Sequence, residues 1–392
     1  MAKIQHIVFL VLLLAAVQAA PGQPATFREF ITQLSTLNNR GADSVLIDRF
    51  LAGKEIPLIE GDSAHFIYRG KGASVAVPGD MNGWNPPLCF MERAGTSDLF
   101  FRSYRLPDSG RAEYKILVDG VWMLDPLNPG KAEGGLGFNS ELRMPAYHPH
   151  PEAGFNPAVA RGTMDTMWIE SALLKLKHPV FVYIPPGSNK KPLAGEIIVT
   201  DGGEYLSFVK MNTILDNLIA SKKMKPVLGI FVDPRTNLHN SATSKRMTEY
   251  AASDTFMNFL EHEVVPVIEQ RYNVSVKNNS RLMMGASLGG LISTYAVLQH
   301  RQFVSNCAAQ SPAYLLGDST IIRLAGSKVN NDIRVWIDTG LLHDTQKEAQ
   351  RVKTLLEQQG VNVRYLEVPE GHNWMNWQSR VPEILKYFFP PK

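Results

Sequence analysis

Residues 281–299 read Arg-Leu-Met-Met-Gly-Ala-Ser-Leu-Gly-Gly-Leu-Ile-Ser-Thr-Tyr-Ala-Val-Leu-Gln, and the period of the apolar residues changes within this stretch. A short apolar run over 282–284 predicts a buried strand, whereas from Leu288 the apolar residues recur at helical intervals. Between the two lies Gly285-Ala-Ser-Leu-Gly289, which has the pattern Gly-x-Ser-x-Gly. In a nucleophile elbow such a serine occupies a tight turn between strand and helix, with its hydroxyl above the sheet. The stretch therefore predicts an α/β protein in which Ser287 is a nucleophile.

A negative charge that develops at a carbonyl attacked by Ser287 needs backbone hydrogen-bond donors. The N–H of Leu288, at the start of the predicted helix, is expected to be one donor. The second donor should come from the loop after an earlier strand, and the apolar run over 197–200 is followed by Asp-Gly-Gly-Glu. Because glycine lets the backbone approach a substrate closely, Gly202 and Gly203 are both candidates for this second oxyanion donor.

Composition limits the classes of protein to which the chain can belong. Its 392 residues are 44% hydrophobic and 20% charged, which allows a sizeable core. This length predicts about two or three domains. The net charge of +3 is too small for a nucleic-acid footprint, and the sequence has no basic stripe with interleaved aromatic residues. We therefore expect no nucleic-acid partner.

Residues 1–19 have the features of a signal peptide. Lys3 supplies the positive charge, Ile7–Val17 is an apolar run, and a small-residue cleavage site ends at Ala19. The run is too short for an ordinary membrane span. We therefore expect an exported protein, periplasmic or secreted, without stable membrane insertion.

The chain contains two cysteines, Cys89 and Cys307, which fall in different predicted domains. We expect two free, buried thiols rather than a disulfide. Two cysteines are too few for a cysteine zinc cluster. We expect neither a metal ion nor a cofactor.

The sequence pattern changes three times along the mature chain. Apolar residues at helical spacing predict a helical lead-in over 20–60. Short alternating segments separated by Asn-Gly and Asp-Gly turns predict a small, antiparallel, immunoglobulin-like β-sandwich over 61–145. A proline-rich linker follows over 146–164. Over 165–392 apolar strands alternate with helices, which predicts an α/β domain with a mostly parallel sheet covered on both faces.

Within this last region the predicted strands lie at 166–171, 179–184, 196–200, 227–232, 282–284, 333–338 and 363–368. The predicted helices lie at 207–220, 254–270, 288–299, 346–359 and 379–388. We expect the first two strands to form a hairpin and Pro266 to kink the second helix.

The order of polar residues after Ser287 predicts a catalytic triad. An α/β-hydrolase orders its triad as serine, acid and histidine. The strand 333–338 ends at Asp338 and leads into a loop that contains Asp344, and we favour Asp344 as the acid with Asp338 as the alternative. His372 follows a glycine beyond the last predicted strand. There His372 would accept the proton of the serine, and the acid would hold the histidine in the right tautomer.

Five stretches together carry a family resemblance, namely Thr200-Asp-Gly-Gly203, Arg246-Met-Thr-Glu-Tyr250, Gly285–Gly290, Gln310-Ser-Pro312 and Gly371-His-Asn-Trp-Met-Asn-Trp377. With them, the region 165–392 resembles the esterase family that holds enterochelin (siderophore trilactone) esterases and the feruloyl and acetyl-xylan esterases of carbohydrate esterase family 1. This resemblance implies an α/β-hydrolase with Ser287, Asp344 and His372 in the triad positions. The chain departs from a common family pattern at Leu341-Leu-His343, just before the acid.

Three stretches of the predicted β-sandwich, at 79–85, 113–122 and 125–129, resemble the early-set modules found in glycogen-binding proteins and ahead of some esterases. In the glycan-binding members, tryptophans like Trp84 and Trp122 stack on sugar rings. The resemblance therefore implies glycan contact through these two residues, and the alternative is that they pack against the next domain.

Three more residues are candidates for contact with a substrate. Arg246 could bind a carboxylate or phenolate, or it could form an internal ion pair that shapes its loop. Trp374 and Trp377 could line an aromatic acyl pocket, or they could be packing residues.

Two functions from different classes follow from these patterns. The first is an exported serine esterase that hydrolyses a small-molecule or glycan-linked ester, such as a siderophore trilactone or a plant-wall feruloyl or acetyl ester, through an acyl-enzyme intermediate. The alternative is a non-catalytic carbohydrate-binding protein on the same scaffold.

Overall fold

The computed structural model describes residues 24–37, 40–188 and 193–391. The predicted signal peptide, residues 1–19, lies outside these ranges. Every helix in the described ranges is too short or too polar to traverse a lipid bilayer.

The chain divides into two units, and the first consists of Met1–Lys54 with Arg93–Ser97. The residues of this unit that the structure describes form the helices α1 (Phe27–Thr36) and α2 (Arg40–Leu51). The rings of Phe30 in α1 and Phe50 in α2 stack with 4.0 Å between their centroids. Burial of these aromatic faces holds the two short helices together.

The second unit, Glu55–Glu92 with Asp98–Lys392, begins with strands. We call residues 58–92 and 98–143 the β-rich region. The strands along this part of the chain are β1 (Leu58–Glu60), β2 (Ser63–Arg69), β3 (Val75–Ala76), β4 (Glu92–Arg93), β5 (Leu99–Arg105), β6 (Arg111–Tyr114), β7 (Ile116–Val118), β8 (Val121–Met123), β9 (Lys131–Gly134) and β10 (Gly137–Arg143). The pairs β1–β2, β2–β5, β3–β7, β7–β8, β6–β10 and β9–β10 are all antiparallel, as the alternating pattern predicted. Their inward side chains, among them Phe66, Tyr114 and Leu142, form one hydrophobic cluster.

After the predicted linker, eight strands form one mixed sheet. They are β11 (Thr163–Ser171), β12 (Leu176–Ile184), β13 (Glu196–Thr200), β14 (Leu228–Val232), β15 (Arg281–Ala286), β16 (Asn306–Gln310), β17 (Arg334–Gly340) and β18 (Asn362–Val368), in the spatial order β11-β12-β14-β13-β15-β16-β17-β18. The first two strands form the predicted antiparallel hairpin, and β12 pairs antiparallel with β14. The remaining pairs are parallel.

Helices cover both faces of this sheet. They are α3 (Gly202–Ser207), α4 (Met211–Ala220), α5 (Arg246–Glu249), α6 (Asp254–Phe259), α7 (Val265–Tyr272), α8 (Leu288–Gln299), α9 (Thr320–Ala325), α10 (Gln346–Gln358) and α11 (Trp374–Phe388). One hydrophobic cluster packs α6 to α10 on one face, and a second packs α4 and α11 on the other. Because the crossover helices bury both faces, a central strand such as β14 is apolar and buried along its whole length. The predicted α/β-hydrolase class is confirmed.

Two details differ from the sequence-based prediction. The strand β16 was not predicted, although it is buried along its whole length in the middle of the sheet. A π-helical turn at Leu260–Val264, which ends two residues before Pro266, interrupts the helix that was expected over 254–270. Cys307 of β16 and Cys89 are both buried and form no disulfide, as predicted.

Candidate active site

The turn between β15 and α8 holds Ser287 in a strained conformation. Its φ of 57° and ψ of −117° lie outside the regions that non-glycine residues favour. The N–H of Ser287 donates to the carbonyl of Gln310 at 2.8 Å, and its own carbonyl accepts from the Leu291 N–H at 3.0 Å. These hydrogen bonds stabilise the turn, so the side chain of Ser287 projects from a fixed backbone.

The two glycines of the pentapeptide allow this turn to form. A Cβ atom at Gly285 would overlap the hydroxyl of Thr200 and would lie 2.8 Å from the backbone of Gly289. A Cβ atom at Gly289 would overlap the same hydroxyl. Strand and helix can therefore approach β13 this closely only without side chains at the two positions.

The topology gathers the ends of four strands at one edge of the sheet. The strands β15, β16, β17 and β18 are adjacent and parallel, so their carboxyl ends face the same way. Ser287, Ser311, Asp344 and His372 follow these four ends in that order. Residues far apart in the chain are thus presented at the same edge, where open α/β sheets hold their ligands.

A short hydrogen bond joins two of the predicted triad residues. The Nδ1 atom of His372 lies 2.7 Å from Oδ1 of Asp344. The Asp344 side chain is fully buried, whereas 37% of the His372 side chain is exposed. The acid is therefore shielded from water while the ring of the histidine faces the solvent side of the site.

Three further donors hold the Asp344 carboxylate. The backbone N–H of Thr345 donates to Oδ1 at 2.8 Å, and the Ser311 hydroxyl and the Gly340 N–H donate to Oδ2, each at 2.6 Å. Burial would raise the pKa of Asp344, but the hydrogen bond and charge of His372, with the bonds from Ser311 and Gly340, outweigh it and hold this pKa below its ordinary value. The carboxylate is therefore stable in its charged form.

Asp338, the alternative acid, has a different environment. It is buried at the end of β17, and its Oδ2 accepts a hydrogen bond from Nε1 of Trp336 at 2.8 Å. Burial raises the pKa of Asp338 to about 7. The carboxyl group that is bonded to His372 belongs to Asp344.

The hydroxyl of Ser287 makes no hydrogen bond to His372 in the described part of the chain. Hydrogen bonds between a nucleophile and its base are often long in an unliganded site and tighten when a substrate binds. Ser287 itself is half-buried, so its hydroxyl is reachable from solvent.

The two candidates for the second oxyanion donor differ in their hydrogen bonds. The N–H of Gly203 donates to the carboxylate of Asp233 at 3.1 Å. Gly202 is the first residue of α3, where an N–H has no acceptor within the helix. Leu288 occupies the same position in α8. The amides of Leu288 and Gly202 therefore match the role of oxyanion donors better than that of Gly203.

Arg246 lies next to the elbow and forms an internal ion pair. Its Nε donates to both carboxylate oxygens of Asp201, at 2.8 and 3.0 Å, and its Nη2 donates to the carbonyl of Ala286 at 3.0 Å. The arginine thereby joins the Gly202 loop to the residue before Ser287. These contacts correspond to the loop-shaping alternative considered for Arg246.

Trp377 packs directly beneath the histidine. The ring centroids of Trp377 and His372 lie 5.0 Å apart in an edge-to-face arrangement. Nε1 of Trp377 donates to the Ser311 hydroxyl at 3.0 Å, and that hydroxyl donates in turn to Asp344. Ser311 was not among the predicted site residues, although it lies in the motif Gln310-Ser-Pro312.

An open cavity of about 510 Å³ lies beside His372. Its lining includes the predicted substrate-contact residues Trp374 and Trp377 and both tryptophans of the β-rich region, Trp84 and Trp122. Lys115 also belongs to this lining, as do Asp80 and Glu113. The structure therefore brings the two predicted glycan-stacking tryptophans to the cavity that contains His372.

No group of three or more histidine, cysteine, aspartate or glutamate side chains is arranged to hold a metal ion among residues 24–37, 40–188 and 193–391.

Residues 171–388, more than half of the chain, match the family model described as putative esterase. The iron(III) enterobactin esterase of Escherichia coli K12 is 22% identical over 325 residues, which cover 79% of this chain and 77% of that protein. The solved ferric enterobactin esterase of Salmonella typhimurium superimposes with a TM-score of 0.71 at 17% identity, over 84% of this chain and 94% of its own. A ferulic acid esterase from Anaeromyces mucronatus superimposes with a TM-score of 0.50 at 16% identity, over 61% and 95%. The predicted resemblance is confirmed, and the chain belongs to the putative esterase family.

Proposed function

We propose that the protein is a serine esterase that hydrolyses carboxylic esters through an acyl-enzyme intermediate. The observation that carries this proposal is the 2.7 Å hydrogen bond between His372 and Asp344 at the strand edge where Ser287 occupies its strained turn. Membership of the esterase family supports an ester as the substrate. A carbohydrate-binding protein, which is the alternative function, would need neither the strained Ser287 nor the buried Asp344.

The first half of the reaction acylates the serine. Nε2 of His372 accepts the proton from the Ser287 hydroxyl as Oγ attacks the carbonyl carbon of the ester. The carbonyl oxygen becomes an oxyanion, which accepts hydrogen bonds from the Leu288 and Gly202 amides. When the tetrahedral intermediate collapses, the C–O bond to the alcohol breaks and the imidazolium of His372 returns its proton to the leaving oxygen. Asp344 stabilises the imidazolium in this interval.

The second half releases the acid. His372 removes a proton from water, the hydroxide attacks the acyl carbon, and the same two amides bind the second oxyanion. Breakdown restores the Ser287 hydroxyl with the proton from His372 and frees the carboxylic acid. No group outside the chain is consumed apart from the ester and water.

The cavity beside His372 supports an ester with aromatic groups. Trp84, Trp122 and Trp374 offer aromatic faces for stacking, and Lys115 offers a positive charge to a phenolate, catecholate or carboxylate oxygen. The fold match to an enterobactin esterase spans 84% of the chain, whereas the match to a ferulic acid esterase spans 61%. We therefore place a catechol-type siderophore trilactone ahead of feruloyl and acetyl esters as the substrate.

Replacement of the nucleophile tests the reaction class. We expect Ser287→Ala to lose at least about 10³-fold in kcat on p-nitrophenyl acetate while its thermal unfolding stays unchanged. Ser221→Ala, at an exposed serine after α4, is the control and should keep full activity. A fluorophosphonate probe should label the parent protein and Ser221→Ala but not Ser287→Ala. Undiminished turnover by Ser287→Ala, or an unlabelled parent protein, would exclude the proposal and favour the binding-protein alternative.

A substrate panel tests the chemical class of the ester. The values of kcat/KM for a catechol-siderophore trilactone, methyl ferulate and acetylated xylan should fall in that order. Trp122→Ala should lower kcat/KM for the trilactone and methyl ferulate more than for p-nitrophenyl acetate, because the proposed stacking acts on their phenolic rings. Preference for acetylated xylan, with no effect of Trp122→Ala, would contradict the aromatic assignment.

We also propose that the mature protein is exported after cleavage behind Ala19. Mass spectrometry of the protein secreted by its native host should find Ala20 at the N-terminus. An intact Met1 on the native protein would exclude this.

A further inference from the structure

A buried polar network connects the β-rich region to the loop that carries His372. The neighbour of this histidine, Asn373, donates from Nδ2 to Oδ2 of Asp80 at 2.9 Å. Its Oδ1 accepts from Nη1 of Arg111, also at 2.9 Å. All three side chains are buried, and the guanidinium of Arg111 is further paired with Glu113. None of these residues takes part in the proposed chemistry.

The network also restrains the backbone on both sides of His372. The N–H of Arg111 donates to the carbonyl of Pro369 at 3.0 Å. Gly371 lies so close to Asp80 that a Cβ atom at position 371 would overlap the carboxyl group. Asn373 caps α11 by accepting from the Asn376 N–H at 3.0 Å. The histidine therefore stands between two residues that are held by the β-rich region.

The loop with the proposed acid contacts the same region. Leu342 packs against the hydrophobic cluster of the β-rich region, two residues before Asp344. Its N–H donates to the carbonyl of Glu370 at 3.1 Å, which joins the acid loop to the histidine loop. The segment Leu341-Leu-His343, where the chain departs from a common family pattern, thus contains the residue through which the acid loop contacts the β-rich region.

Asp80 has a second partner at the cavity. Its Oδ1 accepts from Nε1 of Trp84 at 2.9 Å, while Oδ2 also accepts from the Glu113 N–H at 2.8 Å. One buried carboxylate therefore connects a wall of the cavity with the residue next to His372. A buried polar group is stable only when its hydrogen bonds are satisfied, so the bonds that Asp80 accepts favour one arrangement of their donors.

We propose that Asp80 is a positioning residue, which acts through Asn373 to hold His372 in line with Ser287. This inference rests on the proposed function. The β-rich region then contributes to turnover itself, beyond binding a substrate or covering the cavity.

Exchanges of acid and amide test the contact between the two side chains. Asp80→Asn puts an N–H₂ group in place of one carboxylate oxygen, so at least one of its N–H donors loses its acceptor. Asn373→Asp removes the amide donor to Oδ2 of Asp80 while keeping the cap on α11. Each single change should lower kcat on p-nitrophenyl acetate about 10- to 100-fold with little change in KM, because a displacement of about 1 Å has that effect. The double variant restores one donor–acceptor pair. Its kcat should therefore be about fivefold or more above the value obtained by multiplying the two single losses.

Asp125→Asn is the matched control. Asp125 has a buried carboxyl group in the same β-rich region. It accepts hydrogen bonds from the Tyr114 hydroxyl and the Leu127 N–H, which belong to that region too. This change should lower the melting temperature but leave kcat within about twofold. If Asp80→Asn does not fold, Asn373→Asp is judged by the same criteria.

The outcomes separate the inference from the proposed function. Three results would overturn the positioning role. The first is an equal loss of kcat in Asp80→Asn and Asp125→Asn, and the second is an Asp80→Asn variant in which only the melting temperature falls. The third is a double variant whose loss of kcat is simply the two single losses combined. Active Ser287→Ala would overturn the serine esterase itself. Inactive Ser287→Ala together with fully active Asp80→Asn would reject the inference alone.

Discussion

Asp344→Asn is the change that most directly tests the arrangement of the proposed triad. The carboxylate of Asp344 accepts four hydrogen bonds, two on each oxygen, from His372, Thr345, Ser311 and Gly340. An asparagine offers one acceptor oxygen and one N–H₂ group, so two of the four donors must lose their acceptor.

Both orientations of the asparagine impair the reaction. With its N–H₂ toward His372, the imidazole must accept at Nδ1 and carry its proton on Nε2, where it cannot receive the proton of Ser287. With its N–H₂ toward Ser311 and Gly340, the tautomer is retained but the imidazolium loses its anionic partner, and the Gly340 N–H is left unsatisfied at about 1–3 kcal/mol. We expect kcat to fall about 10³- to 10⁴-fold, which corresponds to about 4–5.5 kcal/mol in the activation free energy.

The assay is kcat on p-nitrophenyl acetate, measured beside the melting temperature. Asp338→Asn is the comparison, because Asp338 lies six residues away on β17 and is bonded to Trp336 rather than to His372. That variant should keep most of the activity. If Asp338→Asn is crippled while Asp344→Asn stays nearly fully active, the acid has been misassigned and the triad must be redrawn around the strand end.

Two further predictions concern stability. Burial raises the pKa of Asp338 to about 7, above about 3.9 in the unfolded chain, so the native state holds one more proton between these values and loses stability as the pH rises through them. Asparagine cannot ionise. The melting temperature of Asp338→Asn minus that of the parent should therefore be larger at pH 8 than at pH 4. An equal difference at the two pH values would contradict a buried neutral carboxyl at position 338. Gly285→Ala places a methyl group on the Thr200 hydroxyl and should cost about 1–3 kcal/mol of unfolding free energy and at least about tenfold in kcat. Gly154→Ala, where the new Cβ would meet the Pro151 carbonyl oxygen at 3.5 Å, should change neither quantity. Similar behaviour of the two variants would refute the packing argument.

The features that local sequence predicted are those that depend on near neighbours in the chain. The elbow at Ser287 is one, because a strand, a tight turn and a helix succeed one another within a few residues and only glycine fits two positions before and after the serine. The α/β class is another, because apolar runs and helical spacing are local patterns. β16 escaped prediction because Asn306-Cys-Ala-Ala-Gln310 has no β-branched or large aromatic residue, and the neighbouring strands make it a strand.

Pairings between distant segments were decided by the tertiary structure. Two aspartates six residues apart both follow the pattern for a triad acid, and only the position of the loop after β18 brings His372 to Asp344. The hydrogen bond from Asn373 to Asp80 joins residues 293 positions apart, and no local pattern distinguishes Asp80 from any other turn aspartate. The resemblance to early-set modules singled out Trp84 and Trp122 as glycan-stacking or packing residues, but their place in the cavity beside His372 follows from how the β-rich region docks on the sheet edge. Burial makes such contacts strong, and it depends on the whole fold rather than on the neighbouring residues.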